Sequence, residues 1–265
     1  MTVAIIIKDS QLTEKSLTLA SSMHLPLVDE VSSCHYDYYL SYDAAGLALA
    51  SSTNNSFKPL RIDFVHGKTA QRLQQASINK EAIAKAFGLH KGRRPYILDC
   101  TAGLGRDAML LTKLGCRVDM IERSPIIYAL LNDALQRASL HSLTKELSSH
   151  IRLFHTQAQN YFDDYPNRHY DAIYLDPMFP EKKKSALAQK EMQIFKEIIG
   201  GDLDAHLIFN ACQGYYTDRL IIKRPRLAPR LAQSPSYQLT GKANRFDIYL
   251  APAGSNQSTS ASGVS

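Results

Sequence analysis

The sequence predicts an α/β fold in which helices cover both faces of a parallel β-sheet. Three observations predict this fold class. From residue 96 onward, strand-like segments alternate regularly with segments that have helical spacing. A glycine-containing turn joins the first of these strands to its helix, and the last two strands flank a turn at Gly241, which is typical of a closing hairpin. A chain of 265 residues is long enough for one or two domains.

Residues 1–57 predict a small N-terminal α/β unit. A polar run, Ser51–Ser56, marks its end. The unit holds a helix and three strands, predicted by apolar spacing at Leu12–Met23, Thr2–Ile7, Tyr36–Tyr42 and Gly46–Ala50.

Residues 58–250 predict the main domain. It opens with a strand at Leu60–Val65 and a helix at Glu81–Phe87, which Gly88 ends. The alternating part contains strands at Tyr96–Cys100, Arg117–Ile121, Ile151–His155, Asp171–Leu175 and Arg219–Lys223, and the closing strands are Tyr237–Thr240 and Arg245–Leu250. Helices are predicted at Arg106–Leu114, Ile126–Ala138 and Ala186–Ile198, with a short helix after the third strand and helical spacing from Leu207 to Tyr215. Residues 251–265 carry no charge and are dominated by Ser, Ala and Gly, which predicts a disordered tail.

Composition excludes several classes of protein. With 45% hydrophobic and 21% charged residues, the chain is neither disordered nor fibrous. No apolar stretch near the start approaches the ~20 residues of a membrane helix, and Met1–Ser10 lacks the pattern of a signal peptide. The four cysteines are isolated, which argues against a zinc site and against a disulfide framework. We therefore expect a cytoplasmic protein with no membrane partner and no metal.

Positive charge is concentrated in two blocks. Residues 58–94 hold nine Lys and Arg against two Asp and Glu, and residues 181–250 hold twelve against seven. The segment between them is mildly acidic, and the whole chain has a net charge of +6. This distribution fits a polyanion that approaches one side of a site, although two solvated basic faces would give the same pattern.

The turn after the first alternating strand predicts a cofactor site. Asp99 precedes Gly103 and Gly105, and Arg106 and Asp107 follow at the start of the helix. The glycine spacing also fits a dinucleotide, but Asp107 would repel a pyrophosphate at this helix N-terminus. S-adenosylmethionine carries an ammonium and a sulfonium, which suit the two carboxylates, and a carboxylate, which suits the arginine. The charges therefore favour S-adenosylmethionine over NAD.

Two later strand ends predict further cofactor contacts. Glu122 ends the second strand 19 residues after the first glycine, where an acid accepts hydrogen bonds from ribose hydroxyls. A surface glutamate that pairs with Arg123 is the alternative. Gln157 and Ala158 follow the third strand, where methyltransferases contact adenine. Because neither residue is an acid, that contact would use the backbone or the amide.

The fourth alternating strand ends in a candidate catalytic motif, Asp176-Pro177-Met178-Phe179. It is similar to the [DN]-P-P-[YFW] motif of methyltransferases that act on amino groups conjugated to a ring or carbonyl. Such a nitrogen is a poor nucleophile, and a carboxylate that accepts its N–H bonds points the lone pair at the methyl group. Pro177 would stiffen the turn, and Phe179 would offer a face for a flipped base. Met178 departs from the motif, in which this position is a proline.

Basic residues beside this motif predict contacts to RNA phosphates. Lys182, Lys183 and Lys184 follow it directly, and Lys223 and Arg224 end the fifth strand. A lysine run is usually a solvated face, but its place after the candidate catalytic loop favours phosphate contact.

Taken together, these motifs resemble the RsmJ-type bacterial ribosomal RNA methyltransferases, which act on guanine N2 of 16S rRNA. The resemblance runs from about Ile62 to Leu250. The matching segments are Asp99–Asp107 (DCTAGLGRD), Gly115–Arg123 (GCRVDMIER), Tyr174–Phe179 (YLDPMF), Lys184–Met192 (KSALAQKEM), Lys223–Pro225 (KRP) and Gly241–Tyr249 (GKANRFDIY).

This resemblance implies a Rossmann-like class I methyltransferase fold and a target near the 3′ end of 16S rRNA, naked or in the small ribosomal subunit. It implies S-adenosylmethionine contacts at Arg106 and Asp107, Glu122 and Arg123, Gln157 and Ala158, and Asp176. The sequence departs from the family at the glycine-poor stretch Gln74–Lys80 and at Gln157 and Ala158. Two alternatives stay open: a methyltransferase acting on adenine N6 or on protein glutamine, and a non-catalytic RNA-binding module with the same fold.

Overall fold

The computed structural model describes residues 1–29, 36–52, 58–178, 204–232 and 234–252, which form two β-sheets and the helices packed on them. The predicted helix Ala186–Ile198 lies outside the described residues, and so does the predicted tail from residue 253 onward.

The N-terminal sheet has four strands in the order β2-β1-β3-β4. Strand β1 is parallel to both of its neighbours, whereas β3 and β4 form an antiparallel hairpin. The helix and the three strands predicted here are confirmed to within two residues, and the two-residue strand β2 was not predicted. The elements are β1 (Val3–Ile6), α1 (Thr13–Met23), β2 (Leu27–Val28), β3 (Tyr38–Asp43) and β4 (Gly46–Ser51).

The strand predicted at Leu60–Val65 is wrong. Leu60, Ile62 and Phe64 are buried at alternate positions, as in a strand, but only Leu60 pairs, in a single bridge to Leu49. The carboxylate of Asp63 accepts hydrogen bonds from the backbone N–H groups of residues 65 and 66, at 2.8 and 3.0 Å. This turn ends the extended segment before a ladder can form.

Two short helices connect this segment to the main sheet. Helix α2 (Gly67–Gln75) was not predicted, and α3 (Ala82–Ala86) confirms the predicted helix at Glu81–Phe87. Helix α2 packs against the first helix of the main domain, α4 (Arg106–Lys113).

The main sheet has seven strands in the order β10-β11-β9-β8-β5-β6-β7. Five of them, from β7 to β9 in that order, are parallel, and β11 runs antiparallel to β9 and β10. This arrangement confirms the predicted α/β fold with a closing hairpin. The strands are β5 (Tyr96–Asp99), β6 (Arg117–Glu122), β7 (Ile151–His155), β8 (Tyr170–Leu175), β9 (Tyr216–Pro225), β10 (Tyr237–Thr240) and β11 (Asn244–Leu250). The remaining helices are α5 (Pro125–Leu140), α6 (Lys145–Ser149), α7 (Ala158–Asp164) and α8 (Ala205–Ala211), of which α6 was not predicted.

A continuous hydrophobic core joins the two sheets. Side chains of the N-terminal sheet, such as Leu40 and Leu49, belong to the same buried cluster as Leu130 and Leu131 of α5. Asp133 of α5 accepts a hydrogen bond from the backbone N–H of Leu47 at 3.0 Å, which ties the helix to the β3–β4 turn. Among the helices of the described segments, none has both the length and the apolar character that a bilayer crossing requires.

Strand order decides which residues meet. Parallel strands β6, β5, β8 and β9 are consecutive neighbours, so their carboxyl ends lie side by side. In open α/β sheets, ligands bind outside this edge. The candidate residues at Asp99, Glu122, Asp176 and Lys223 all stand there.

Candidate active site

The loop after β5 is held by two carboxylates. Asp99 accepts a hydrogen bond from the backbone N–H of Thr101 at 3.0 Å. Glu122 accepts one from the N–H of Gly103 at 3.0 Å and another from that of Ser124 at 2.7 Å. Glu122, which was predicted to hold ribose hydroxyls, therefore also clamps the glycine loop to the end of β6.

Gly105 begins helix α4 with φ of +66°, in the left-handed region that favours glycine. A Cβ atom at this position would lie 2.7 Å from Cδ1 of Leu131 and 3.1 Å from Cζ of Phe64. The loop therefore needs glycine here both for its backbone conformation and for close packing on the core.

Lys223 joins two of the candidate carboxylates. Its Nζ donates to Oδ2 of Asp107 and to Oδ2 of Asp176, each at 2.7 Å. The hydroxyl of Tyr174 donates to the same oxygen of Asp107 at 2.8 Å, and a guanidinium nitrogen of Arg72 lies 3.8 Å from the other oxygen. We call Asp107, Tyr174, Asp176 and Lys223 the strand-end cluster.

Charge and burial oppose each other within the strand-end cluster. Burial acts to raise the pKa of Asp107, but the Lys223 ammonium, the Tyr174 hydroxyl and the Arg72 guanidinium outweigh it and hold this pKa below its ordinary value. Burial acts to lower the pKa of Lys223, and the charges of Asp107 and Asp176 raise it overall. The ammonium therefore stays protonated, and both of its ion pairs persist at neutral pH.

Asp99 has the opposite balance. It is 2% exposed, and burial raises its pKa to about 7, against the hydrogen bond from the N–H of Thr101 and with a further increase from the charges of Asp107 and Asp176. A buried carboxylate in this state gains stability from a cation placed nearby.

The remaining predicted cofactor residues are spread along the same edge. Arg106 is exposed in the first turn of α4. Arg123 donates from one guanidinium nitrogen to both carboxylate oxygens of Asp204, at 2.8 and 3.0 Å, and so ties the end of β6 to α8. Gln157 is exposed at the start of α7, whereas Ala158 is 3% exposed and its side chain packs in a hydrophobic cluster. At Ala158, only the backbone is left for a ligand.

The predicted catalytic motif begins where expected, directly after β8. The backbone N–H of Asp176 donates to Oγ1 of Thr101 at 2.6 Å, which connects the motif to the glycine loop. The Asp176 side chain is 39% exposed and can be reached from solvent. Pro177 is buried, and Met178 packs against the main core. Phe179 lies outside the described residues.

The predicted RNA contacts at the end of β9 need correction. Lys223 was expected to bind phosphate, but its ammonium is held between two carboxylates. Arg224 is 2% exposed and donates to the carbonyl oxygen of Pro229, so its guanidinium does not face an approaching strand. Lys182, Lys183 and Lys184 lie outside the described residues, and their contact with RNA stays a prediction.

The sequence analysis missed the roles of Tyr174, Thr101 and Arg72. Tyr174 was assigned only to a strand, although a buried tyrosine hydroxyl generally needs a hydrogen-bond partner. Thr101 lies inside the glycine motif, where its hydroxyl was not considered. Arg72 had no signal, because helix α2 itself was not predicted.

The donor set fits a ligand that carries both signs of charge. Asp99 and Glu122 supply buried carboxylates, Arg106 supplies an exposed cation, and the glycine loop passes between them. Within the described part of the chain, no group of three His, Cys, Asp or Glu residues could hold a metal ion.

Comparison with known proteins places this geometry in a family. The family model described as "Putative SAM-dependent methyltransferase" matches residues 20–251. A crystal structure of a SAM-dependent methyltransferase from Neisseria gonorrhoeae is 31% identical, with a TM-score of 0.73, and covers 96% of this chain and 97% of its own.

Curated relatives named "Ribosomal RNA small subunit methyltransferase J" match over most of their length. The relative from Ectopseudomonas mendocina is 41% identical over 237 residues, which is 89% of each chain. The relative from Cellvibrio japonicus is also 41% identical, over 92% of this chain and 96% of its own. The chain therefore belongs to the ribosomal RNA small subunit methyltransferase J family of S-adenosylmethionine-dependent methyltransferases.

Proposed function

We propose that this chain transfers a methyl group from S-adenosylmethionine to the exocyclic N2 amine of a guanosine near the 3′ end of 16S rRNA. Family membership supports the cofactor and the rRNA substrate. The observation that carries the proposal for the site is the position of Asp176. Its exposed carboxylate stands beside the glycine loop, at the edge where the parallel strands end.

S-adenosylmethionine, when bound, supplies an electrophilic methyl group on a sulfonium. Asp99 and Arg106 would hold its cationic and anionic groups, and Glu122 would accept its ribose hydroxyls while it keeps its hold on the loop. The raised pKa of Asp99 supports this role, because a cation beside that carboxylate would favour the ionised form.

Asp176 acts on the amine. The N2 lone pair of guanine is delocalised into the ring, so the nitrogen attacks only when it becomes pyramidal. A carboxylate that accepts an N–H hydrogen bond from the amine favours that geometry and fixes the direction of the lone pair. Pro177 limits the freedom of the turn, and Phe179 supplies a stacking face for the base.

Lys223 positions Asp176. Its ammonium holds one oxygen of that carboxylate at 2.7 Å, and its second ion pair anchors it to helix α4 through Asp107. Because α4 follows the glycine loop, this bridge couples the orientation of the Asp176 carboxylate to the loop at which the cofactor binds.

The cytoplasm is the expected compartment, with 16S rRNA or the small ribosomal subunit as partner. The three cysteines in the described residues are buried and free, which agrees with a reducing environment.

The test is transfer of labelled methyl groups to unmodified 16S rRNA and to small subunits, followed by nucleoside analysis. The proposal predicts that N2-methylguanosine carries the label. Label on N6-methyladenosine or on protein glutamine would contradict the substrate. Binding of rRNA without any transfer would instead favour a non-catalytic module.

A further inference from the structure

The surface beside the strand-end cluster is a polar cleft with a positive excess. Six side chains line a cleft of about 350 Å³ along α2 and the segment after it: Lys68, Gln71, Arg72, Gln75, Lys80 and Glu81. We call it the α2 groove. The four residues of α2 recur at helical spacing and are exposed, whereas Ala70 and Leu73 on the opposite face are buried.

The α2 groove is connected to the strand-end cluster by Arg72. This guanidinium donates to Oε2 of Glu81 at 2.9 Å inside the groove. It also lies 3.8 Å from Oδ1 of Asp107, whose other oxygen contacts Lys223. A chain lying in the groove would therefore pass beside the carboxylates that end the parallel strands.

The charges of the groove favour a polyanion. Arg72 pairs with Glu81, the only acidic side chain of the lining, and neither Lys68 nor Lys80 forms an ion pair with another described residue. These two ammonium groups are exposed. The groove also belongs to segment 58–94, which holds nine basic residues against two acidic ones.

The lining also limits what kind of polyanion fits. It contains no aromatic side chain on which a base could stack and no apolar side chain that could anchor a peptide or a lipid. Lysine ammonium groups and glutamine amides donate hydrogen bonds to phosphate oxygens and to ribose hydroxyls, and such contacts read no sequence.

We propose that the α2 groove binds the sugar–phosphate backbone of the rRNA strand that leads to the target nucleotide. This inference rests on the proposed function, and it adds a substrate-binding surface that the motifs did not identify. Lys68 and Lys80 carry the phosphate contacts, while Arg72 and Glu81 hold the wall between groove and strand-end cluster.

The test compares two double variants with the same loss of charge. In Lys68→Gln/Lys80→Gln the groove loses both ammonium groups, and the control Lys85→Gln/Lys113→Gln removes two exposed lysines outside the lining. Affinity for a fluorescent RNA that carries the 3′ segment of 16S rRNA is measured over a potassium chloride series, and affinity for S-adenosylmethionine is measured by calorimetry.

The groove variant should lower the salt slope by roughly 0.7 for each phosphate that no longer meets a lysine, and raise the KM for RNA on the order of tenfold, with kcat and cofactor affinity kept. The control should change the slope by much less. Equal slopes in both variants would overturn the groove. If the wild-type chain transfers no methyl group to rRNA while the groove variant still binds RNA more weakly, the groove stands and the proposed function fails.

Discussion

At the scale of single residues, Asp99 shows how a binding site opposes stability. Its side chain is almost completely buried, and its pKa is raised to about 7. A carboxyl group whose pKa is higher in the folded than in the unfolded state destabilises the fold when it ionises. Stability is therefore lost as pH rises from the ordinary value of 3.8 through about 7.

We predict that Asp99→Asn stabilises the protein without cofactor at pH 8 and leaves it nearly unchanged at pH 4. The amide keeps an acceptor for the N–H of Thr101 but carries no charge to desolvate. Thermal unfolding at both pH values measures the difference, at about 2–4 °C for each kcal/mol gained. Affinity for S-adenosylmethionine should fall in the same variant. Equal melting temperatures of wild type and variant at pH 8 would show that burial of the carboxylate does not destabilise the fold.

The sequence predicted the carboxylates of the strand-end cluster but not what holds them. Asp107 and Asp176 lie in recognisable motifs. Lys223 is 47 residues from Asp176 along the chain, and only the pairing of β8 with β9, which sets Leu175 opposite Ile222, brings them together. A basic residue at a strand end is indistinguishable in sequence from a phosphate contact, and for that reason Lys223 and Arg224 were assigned to RNA.

At the scale of elements, predictions succeeded where one physical signal dominated. The strands of the main sheet are apolar segments between turn residues, and all seven were predicted to within three residues at each end. Helix α2 was missed because it begins at a glycine with φ of +70° and has only a narrow apolar face, Ala70 and Leu73. At Leu60–Val65, alternating burial suggested a strand, but the Asp63 turn interrupts it.

The glycine loop gives a prediction at this scale. Gly105→Ala should lower the free energy of unfolding by about 1–3 kcal/mol beyond the cost of a positive φ, because the new methyl group overlaps Leu131. Gly92→Ala is the matched control, since its φ is +77° and no atom lies within 4 Å of the added Cβ. Urea denaturation measures both variants. An equal loss in the two would mean that backbone strain alone requires glycine at position 105.

At the scale of the whole molecule, the two sheets serve one site. The N-terminal sheet shares its core with α4 and α5, the helices that follow the glycine loop and Glu122. Its division from the main domain near residue 57 stays a prediction. The α2 groove lies on the segment between the two sheets and borders α4, so the connecting segment has both a structural and a binding role.

The central claim is that methyl transfer depends on the Asp176 carboxylate within the strand-end cluster. Single-turnover transfer to 16S rRNA by Asp176→Asn, at saturating S-adenosylmethionine, tests it most directly. Asp163→Asn at the exposed end of α7 serves as the control. We predict that the rate falls by about 10²-fold or more in Asp176→Asn, with cofactor affinity within a few-fold of wild type, and stays unchanged in the control. A folded Asp176→Asn variant with the wild-type rate would contradict the account.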